Sequence, residues 1–303
     1  MDQGLLDLRP VHVMHRLGAG SRVPLLNGRT LLDACAEFQR LLWAPRIGSA
    51  AQARALLTAS AHRRALAGAV FAPPRADLAE LRRDFSPAAW VDSFLAAAAE
   101  MSDPPPFFLH LQPPPFDSRG GGAGRAAAWL LENGLEVGFT SFGIDLTALP
   151  QAERAGAAAE LLGPVLELEL CAVARLAFAP GSEAALLELM RELRGLGVLP
   201  DLVWLQPGED RIGLEAIQRL APLLAPAGVA LSDLAGDGET PGPLSDAGVR
   251  AVFGDDRLLR PRGAAQARPE VEEAEAYLDC DETIAALGLT GSVRLLSGSA
   301  AGA

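Results

Sequence analysis

Lysine is absent from this sequence, and every strongly basic side chain is an arginine. Covalent catalysis through a Schiff base needs a lysine amine. PLP chemistry and every other lysine-imine mechanism are therefore excluded. Histidine is scarce, with only His12, His15, His62 and His110. The three cysteines, Cys35, Cys171 and Cys280, lie far apart and form no Cys-x-x-Cys pair. That pattern predicts a reduced, cytoplasmic protein rather than a disulfide scaffold or a thiolate metal site. No apolar run reaches the ~18 residues of a membrane span. The acidic opening Met1-Asp-Gln-Gly lacks the basic and then apolar regions of a secretory signal. Positive charge is in deficit: the net charge of −12 argues against a nucleic-acid surface. No Gly-x-Gly-x-x-Gly follows the first strand, and the glycine-rich run Arg119 to Gly124 has neither Walker spacing nor a lysine. It reads as a loop over one end of the fold.

The chain does have apolar residues in quantity: half of its 303 residues. That is enough for one large core, since a barrel of ~250 residues folds as a single domain. The most informative stretch is Gly138 to Pro150. Thr140 to Leu146 reads as a short strand between two helices, Gly124–Leu135 and Gln151–Leu162, and it ends in Asp145. A buried strand between helices is the repeating unit of a parallel α/β sheet.

The same reading places further strands near Leu41–Pro45, Ala67–Ala72, Phe107–Leu111, Val165–Leu170, Asp201–Leu205, Gly228–Ser232 and Arg250–Phe253. Helices are expected over Leu31–Leu41, capped by Asn27 or Thr30, and over Ser49–Ala67, Asp77–Asp84 and Pro87–Met101. Further helices are expected over Ser182–Leu196, Gly213–Leu224 and Ser245–Val249. Eight strands alternating with helices predict a (β/α)8 TIM barrel in one domain, residues 23–263. Residues 1–22 form a mixed leader in which Pro10 disfavours a helix bearing His12 and His15. Residues 264–303 comprise an acidic helical stretch and a small-residue tail.

Val165-Leu-Glu-Leu-Glu-Leu170 alternates strictly, so Glu167 and Glu169 share one face of the expected strand. They face either solvent or the barrel lumen. In a barrel, Asp145 at the end of its strand points into the mouth, where barrel chemistry is done.

The segment Gly138-Phe-Thr-Ser-Phe-Gly-Ile-Asp145, with Leu149-Pro150 after it, resembles a segment of the class II, zinc-dependent ketose-bisphosphate aldolases. The opening Pro24-Leu-Leu-Asn-Gly28 is similar to theirs as well. The resemblance runs in order over roughly residues 23–257. It implies a barrel whose zinc, held by three histidines, polarises a ketose carbonyl, with an aspartate beside the first histidine as proton donor or acceptor. Residue by residue the chemistry departs. The family's His-Leu-Asp-His-Gly reads His110-Leu-Gln-Pro-Pro114 here, so Gln112 holds the catalytic aspartate position and Pro113 a zinc-histidine position. The loops Gln206–Asp210 and Leu231–Gly238, where the other two ligands belong, contain no histidine.

What remains is acidic and glycinic. Asp145 and Glu169 are the candidate catalytic carboxylates. His110, Gln112, Gly236, Gly238 and Asp255 are candidate ligand contacts. Asp145, Glu167, Glu169 and Asp233 form a candidate oxygen site for Mg²⁺ or Mn²⁺ in place of zinc. Two functions follow from the resemblance. One is a catalytically degenerate, aldolase-like barrel that binds a small phosphorylated or carbonyl ligand, or serves as a partner subunit in carbohydrate metabolism, without a cofactor. The other is an active metal-dependent lyase using carboxylate-bound metal. The expected assembly is a homodimer, with no nucleic-acid or membrane partner.

Overall fold

The computed structural model describes residues 6, 9–18, 20–37, 42–63, 67–73, 86–118, 120–179, 181–207, 212–231 and 247–254. Its strands are β1 (Leu42–Pro45), β2 (Ala67–Phe71), β3 (Phe107–Leu111), β4 (Ser141–Asp145), β5 (Cys171–Phe178), β6 (Leu202–Pro207), β7 (Gly228–Leu231) and β8 (Val249–Gly254). All pair in parallel in the order β1-β8-β7-β6-β5-β4-β3-β2. A parallel bridge between Arg46 and Val70 brings the two outer strands together just past the end of β1. The result is a nearly closed (β/α)8 barrel, as eight apolar strands separated by helices require.

The described helices are α1 (Val11–Leu17), α2 (Gly28–Glu37), α3 (Ala50–Arg63), α4 (Pro87–Ala99), α5 (Gly122–Val137), α6 (Gln151–Glu167), α7 (Glu183–Gly195) and α8 (Leu214–Leu224). Several start where capping chemistry puts them. Ser86 Oγ accepts from the Ala89 amide ahead of Pro87 at the first helical position. Asn27 Oδ1 accepts from the Arg29 amide at the start of α2. α5 ends at Gly138, whose φ of +99° is a left-handed cap conformation that a side chain would strain. That cap turns the chain into β4.

The sides of the barrel are held by apolar burial. Trp90 of α4 stacks on Phe139 at 5.4 Å and packs against Phe94 at 4.7 Å and Phe71 at 5.1 Å. Its indole N–H donates to the Ile47 carbonyl, so the one polar atom of this cluster is satisfied. The opening segment closes the N-terminal end of the barrel. Leu26 N–H donates to Phe107 O, Phe107 N–H to Pro24 O, and Gly28 N–H to Thr140 O.

Two local expectations are corrected. Residues 11–17 are helical: Pro10 stands at the N-cap, where its missing N–H costs nothing. Residues 165–170 are not a strand. α6 runs through Pro164 to Glu167, Leu168 and Glu169 turn with Glu169 at φ +55°, and Leu170 N–H donates to Val165 O. The strand is the uniformly apolar run that follows, Cys171–Phe178. Strict alternation marks a sheet with one wet face, whereas parallel barrel strands are covered on both faces and read as continuous apolar runs. The expected helices over 77–84 and 245–249 fall wholly or mostly outside the described residues, and Val249 itself opens β8.

Candidate functional site at the barrel mouth

Strands β3 to β6 and β8 bring together His110, Gln112, Ser141, Gly143, Asp145, Arg175, Trp204 and Phe253, with Asp145 closing β4 and Gln112 just past the end of β3. Register does this directly: His110 lies beside Ser141, Asp145 beside Arg175, and Arg175 beside Trp204. Laterally paired residues on parallel strands point to the same side of the sheet.

His110 is fully buried. Ser141 Oγ lies 2.8 Å from its Nδ1, and Gln112 Oε1 lies 3.3 Å from its Nε2. Because the Gln112 carbonyl oxygen can only accept, Nε2 carries the proton and Nδ1 accepts from the serine hydroxyl. Burial holds the imidazole pKa down to about 4, against the smaller upward pull of the Gln112 hydrogen bond. The ring is therefore neutral at pH 7, with both nitrogens engaged. It stacks on Phe253 at 4.5 Å and 13°. Gln112 is itself buried, and its amide donates to the Pro113 carbonyl at 3.3 Å. Gly143 makes this arrangement fit: a Cβ there would stand 2.0 Å from Gln112 Oε1 and 3.1 Å from His110 Nε2.

Asp145 is 1% exposed and both of its carboxylate oxygens are hydrogen-bonded. Oδ1 accepts from Thr147 N–H at 3.1 Å and from Thr147 Oγ1 at 2.5 Å. Oδ2 accepts from Arg175 Nη1 at 3.1 Å. The Arg175 guanidinium carbon sits 4.7 Å above the Trp204 ring, a cation–π seat. Trp204 packs on Phe253 at 5.2 Å, which leads back to His110. One continuous chain of contacts thus crosses the upper lumen from β4 through β5, β6 and β8 to β3. Two of its members, Trp204 and Phe253, are aromatic and in ring contact.

The other sequence-derived site residues lie elsewhere. Glu167 ends α6, and Glu169 sits in the turn entering β5, where its carbonyl accepts from Asn27 Nδ2. Asp145 is level with Arg175, four residues into β5 from Cys171, whereas Glu169 lies in the turn before the strand, which puts ~13 Å of strand and the turn between them. Glu167 and Glu169 therefore occupy the N-terminal end of the barrel and cannot share an ion or a substrate with Asp145. Asp233, Gly236, Gly238 and Asp255 lie outside the described residues. Sequence reasoning missed Arg175, Trp204, Ser141, Gly143 and Phe253 as mouth residues. Arg175 had a readable signal: a lone arginine in Cys-Ala-Val-Ala-Arg-Leu-Ala-Phe must find a counter-charge once its strand is buried.

The residues present do not fit the zinc that the aldolase resemblance implies. Pro113 has no donor atom in its side chain, and Gln112 is folded onto His110. Both His110 nitrogens are hydrogen-bonded inside the core. His12 is at the opposite end, where its Nε2 donates to the Phe139 carbonyl at 2.9 Å, and burial lowers its pKa. No histidine follows residue 110 in the sequence. Among the described residues, no three His, Cys, Asp or Glu side chains converge on a common point.

No protein-family model matches the chain, and no curated protein matches it in sequence. Solved structures do match in shape. The YdjI aldolase from Escherichia coli K12 superposes with a TM-score of 0.64 at 13% identity, covering 88% of this chain and 98% of its own. A candidate fructose-1,6-biphosphate aldolase from Coccidioides immitis does so with a TM-score of 0.62 at 15% identity, covering 89% and 98%. At these identities the likeness is one of fold: this chain has the barrel architecture of those two aldolases.

Proposed function

We propose that this chain is an aldolase-type barrel whose mouth has given up zinc-dependent carbonyl chemistry and now works as a non-catalytic, partner-binding subunit. The observation that carries the reading is the Asp145–Arg175 pair. The carboxylate retained at the end of β4 is paired with an arginine and accepts two hydrogen bonds from Thr147, so three of its four lone-pair sites are engaged inside the protein. Gln112 and Pro113 at the expected acid and ligand positions support the same reading, because neither can exchange a proton or bind zinc. A carboxylate-bound Mg²⁺ or Mn²⁺ lyase finds no support, since two of its four proposed ligands stand at the far end of the barrel.

The test is an aldol-cleavage assay of the purified chain on fructose 1,6-bisphosphate and tagatose 1,6-bisphosphate, with zinc, magnesium or manganese added in turn. No cleavage above the rate in buffer is expected under any condition. Metal-dependent turnover that a chelator abolishes would overturn the reading.

A further inference from the structure

We propose that a groove on the barrel flank binds a small molecule through its phosphate or carboxylate group, with Arg250 as the anion contact. The groove has a volume of about 440 Å³, within the ~300–1,000 Å³ of small-molecule sites. It is lined by Gln218, Ala221 and Pro222 of α8, and by Gly228, Gly248 and Arg250 at the starts of β7 and β8. It is therefore separate from the mouth, and either reading can fail without the other.

The backbone gives Arg250 a special place. Val229 pairs with Val249 and Ala230 with Ala251, so Arg250 is one residue too many in β8. Such a bulge bends the strand and re-aims the side chain it carries. The stem of Arg250 then lies across Gly228, where a Cβ would stand 2.6 Å from its Cγ and 3.0 Å from its Cβ. Only glycine leaves room for the stem there. Gly248 closes on α8 in the same way, since a Cβ there would stand 2.5 Å from the Ala221 methyl.

Arg250 is also the half-buried arginine that the fold leaves unused. Arg9, Arg16, Arg29, Arg154 and Arg175 are half-buried as well, and each has a carbonyl or carboxylate partner. Among the described residues Arg250 has neither a hydrogen bond nor an ion pair. No carboxylate lines the groove. Asp201, whose carbonyl accepts from Gly228 N–H, has its carboxylate turned to Arg29 and to the Ala172 amide. A guanidinium presents a planar fork of donors that an oxyanion meets with two parallel hydrogen bonds.

The remaining lining suits a ligand of mixed character. Gln218 offers an amide that can both donate and accept. Ala221, Ala225 and Pro226 offer small apolar contacts. Arg194 of α7 donates to the carbonyl of Ala225 at 2.9 Å, which holds a second guanidinium within one hydrogen bond of a lining residue. In a chain of net charge −12 this is a local concentration of positive charge. It favours a compact anion with a short, partly hydroxylated body.

The test titrates the full chain with glycerol 3-phosphate and, separately, with succinate, by calorimetry at constant ionic strength. Saturable one-to-one binding of at least one probe is expected, with Kd on the order of 1 mM; the tighter probe names the group that the groove prefers. Amide exchange should slow over residues 218–228 and 247–250 when that probe is bound. Arg250→Gln should weaken it by about tenfold or more. Gln218→Glu, an exposed change that sets a carboxylate in the groove to compete for Arg250, should weaken it several-fold. Arg191→Gln, on the exposed side of α7, should bind as the parent does. No saturable binding of either probe up to about 20 mM would overturn the site. So would binding unchanged in both groove variants, or protection confined to residues 141–147 and 171–178.

Discussion

Replacing Asp145 with alanine should destabilise the barrel by roughly 3 kcal/mol. Removing one partner of a buried ion pair costs ~3–5 kcal/mol, chiefly because the other charge is left without its counter-ion. Here the Arg175 side chain is 23% exposed, so water recovers part of that loss and the ion-pair share falls to ~2 kcal/mol. The two hydrogen bonds from Thr147 to Oδ1 add ~0.5–1.5 kcal/mol each when deleted, less whatever water replaces. For a barrel of this size the sum lowers Tm by ~6–12 °C. Asp145→Asn keeps an acceptor for Thr147 and removes only the charge, so it should cost about half as much. A double-mutant cycle with Arg175→Met isolates the pair, with an expected coupling of ~1–3 kcal/mol. The assay is urea unfolding followed by tryptophan fluorescence, to which Trp204 beneath Arg175 contributes. A loss under ~0.5 kcal/mol for Asp145→Ala, with no measurable coupling, would refute the reasoning. The carboxylate would then be available for chemistry rather than spent on structure.

Three further outcomes are expected. Gly143→Ala should cost ~1–3 kcal/mol, because a methyl 2.0 Å from Gln112 Oε1 must expel that side chain from His110; a stability equal to the parent's would show that Gln112 is not held there. His110, with its pKa depressed from 6.5 to about 4, binds its proton more readily unfolded than folded. Its contribution is therefore complete above pH 6.5 and drains away as pH falls to about 4, by ~3 kcal/mol in all. In His110→Gln the slope of stability against pH between those values should be shallower by about one proton, and an unchanged slope would contradict the assignment. Finally, Glu167→Gln and Glu169→Gln, together, should leave thermal stability within ~1 °C of the parent. Both carboxylates are exposed, so a fall in Tm of several degrees in that variant would contradict their placement.

The barrel was legible in the sequence because each βα unit carries its own boundary. Ser86-Pro87 opens α4, Gly138 closes α5, and Phe107–Leu111 is dense enough in apolar residues to be nothing but a buried strand. β5 was misread for a specific reason. Val165–Leu170 satisfies a two-residue period and, through Ala158, Leu162 and Val165, also a helical one, and the helix won because those three side chains are buried against the sheet. With β5 shifted by six residues, the glutamates moved from the mouth to the base, and Arg175 took the place beside Asp145. The pairing of Asp145 with Arg175 and the space made for Gln112 by Gly143 depend on register between residues thirty or more apart in sequence, which no local pattern encodes. The proposal that zinc chemistry is lost, by contrast, rests on residue identity: a proline and a glutamine at two positions, and no histidine after 110.

The central claim is that the mouth holds no zinc, and the most direct measurement is metal content. The chain is expressed in zinc-supplemented medium, purified without chelator, and analysed by mass spectrometry of the elements against protein concentration. The account predicts well under ~0.1 zinc per chain, unchanged after dialysis against a chelator. One zinc per chain, lost together with aldol cleavage on chelation and regained with it, would contradict it.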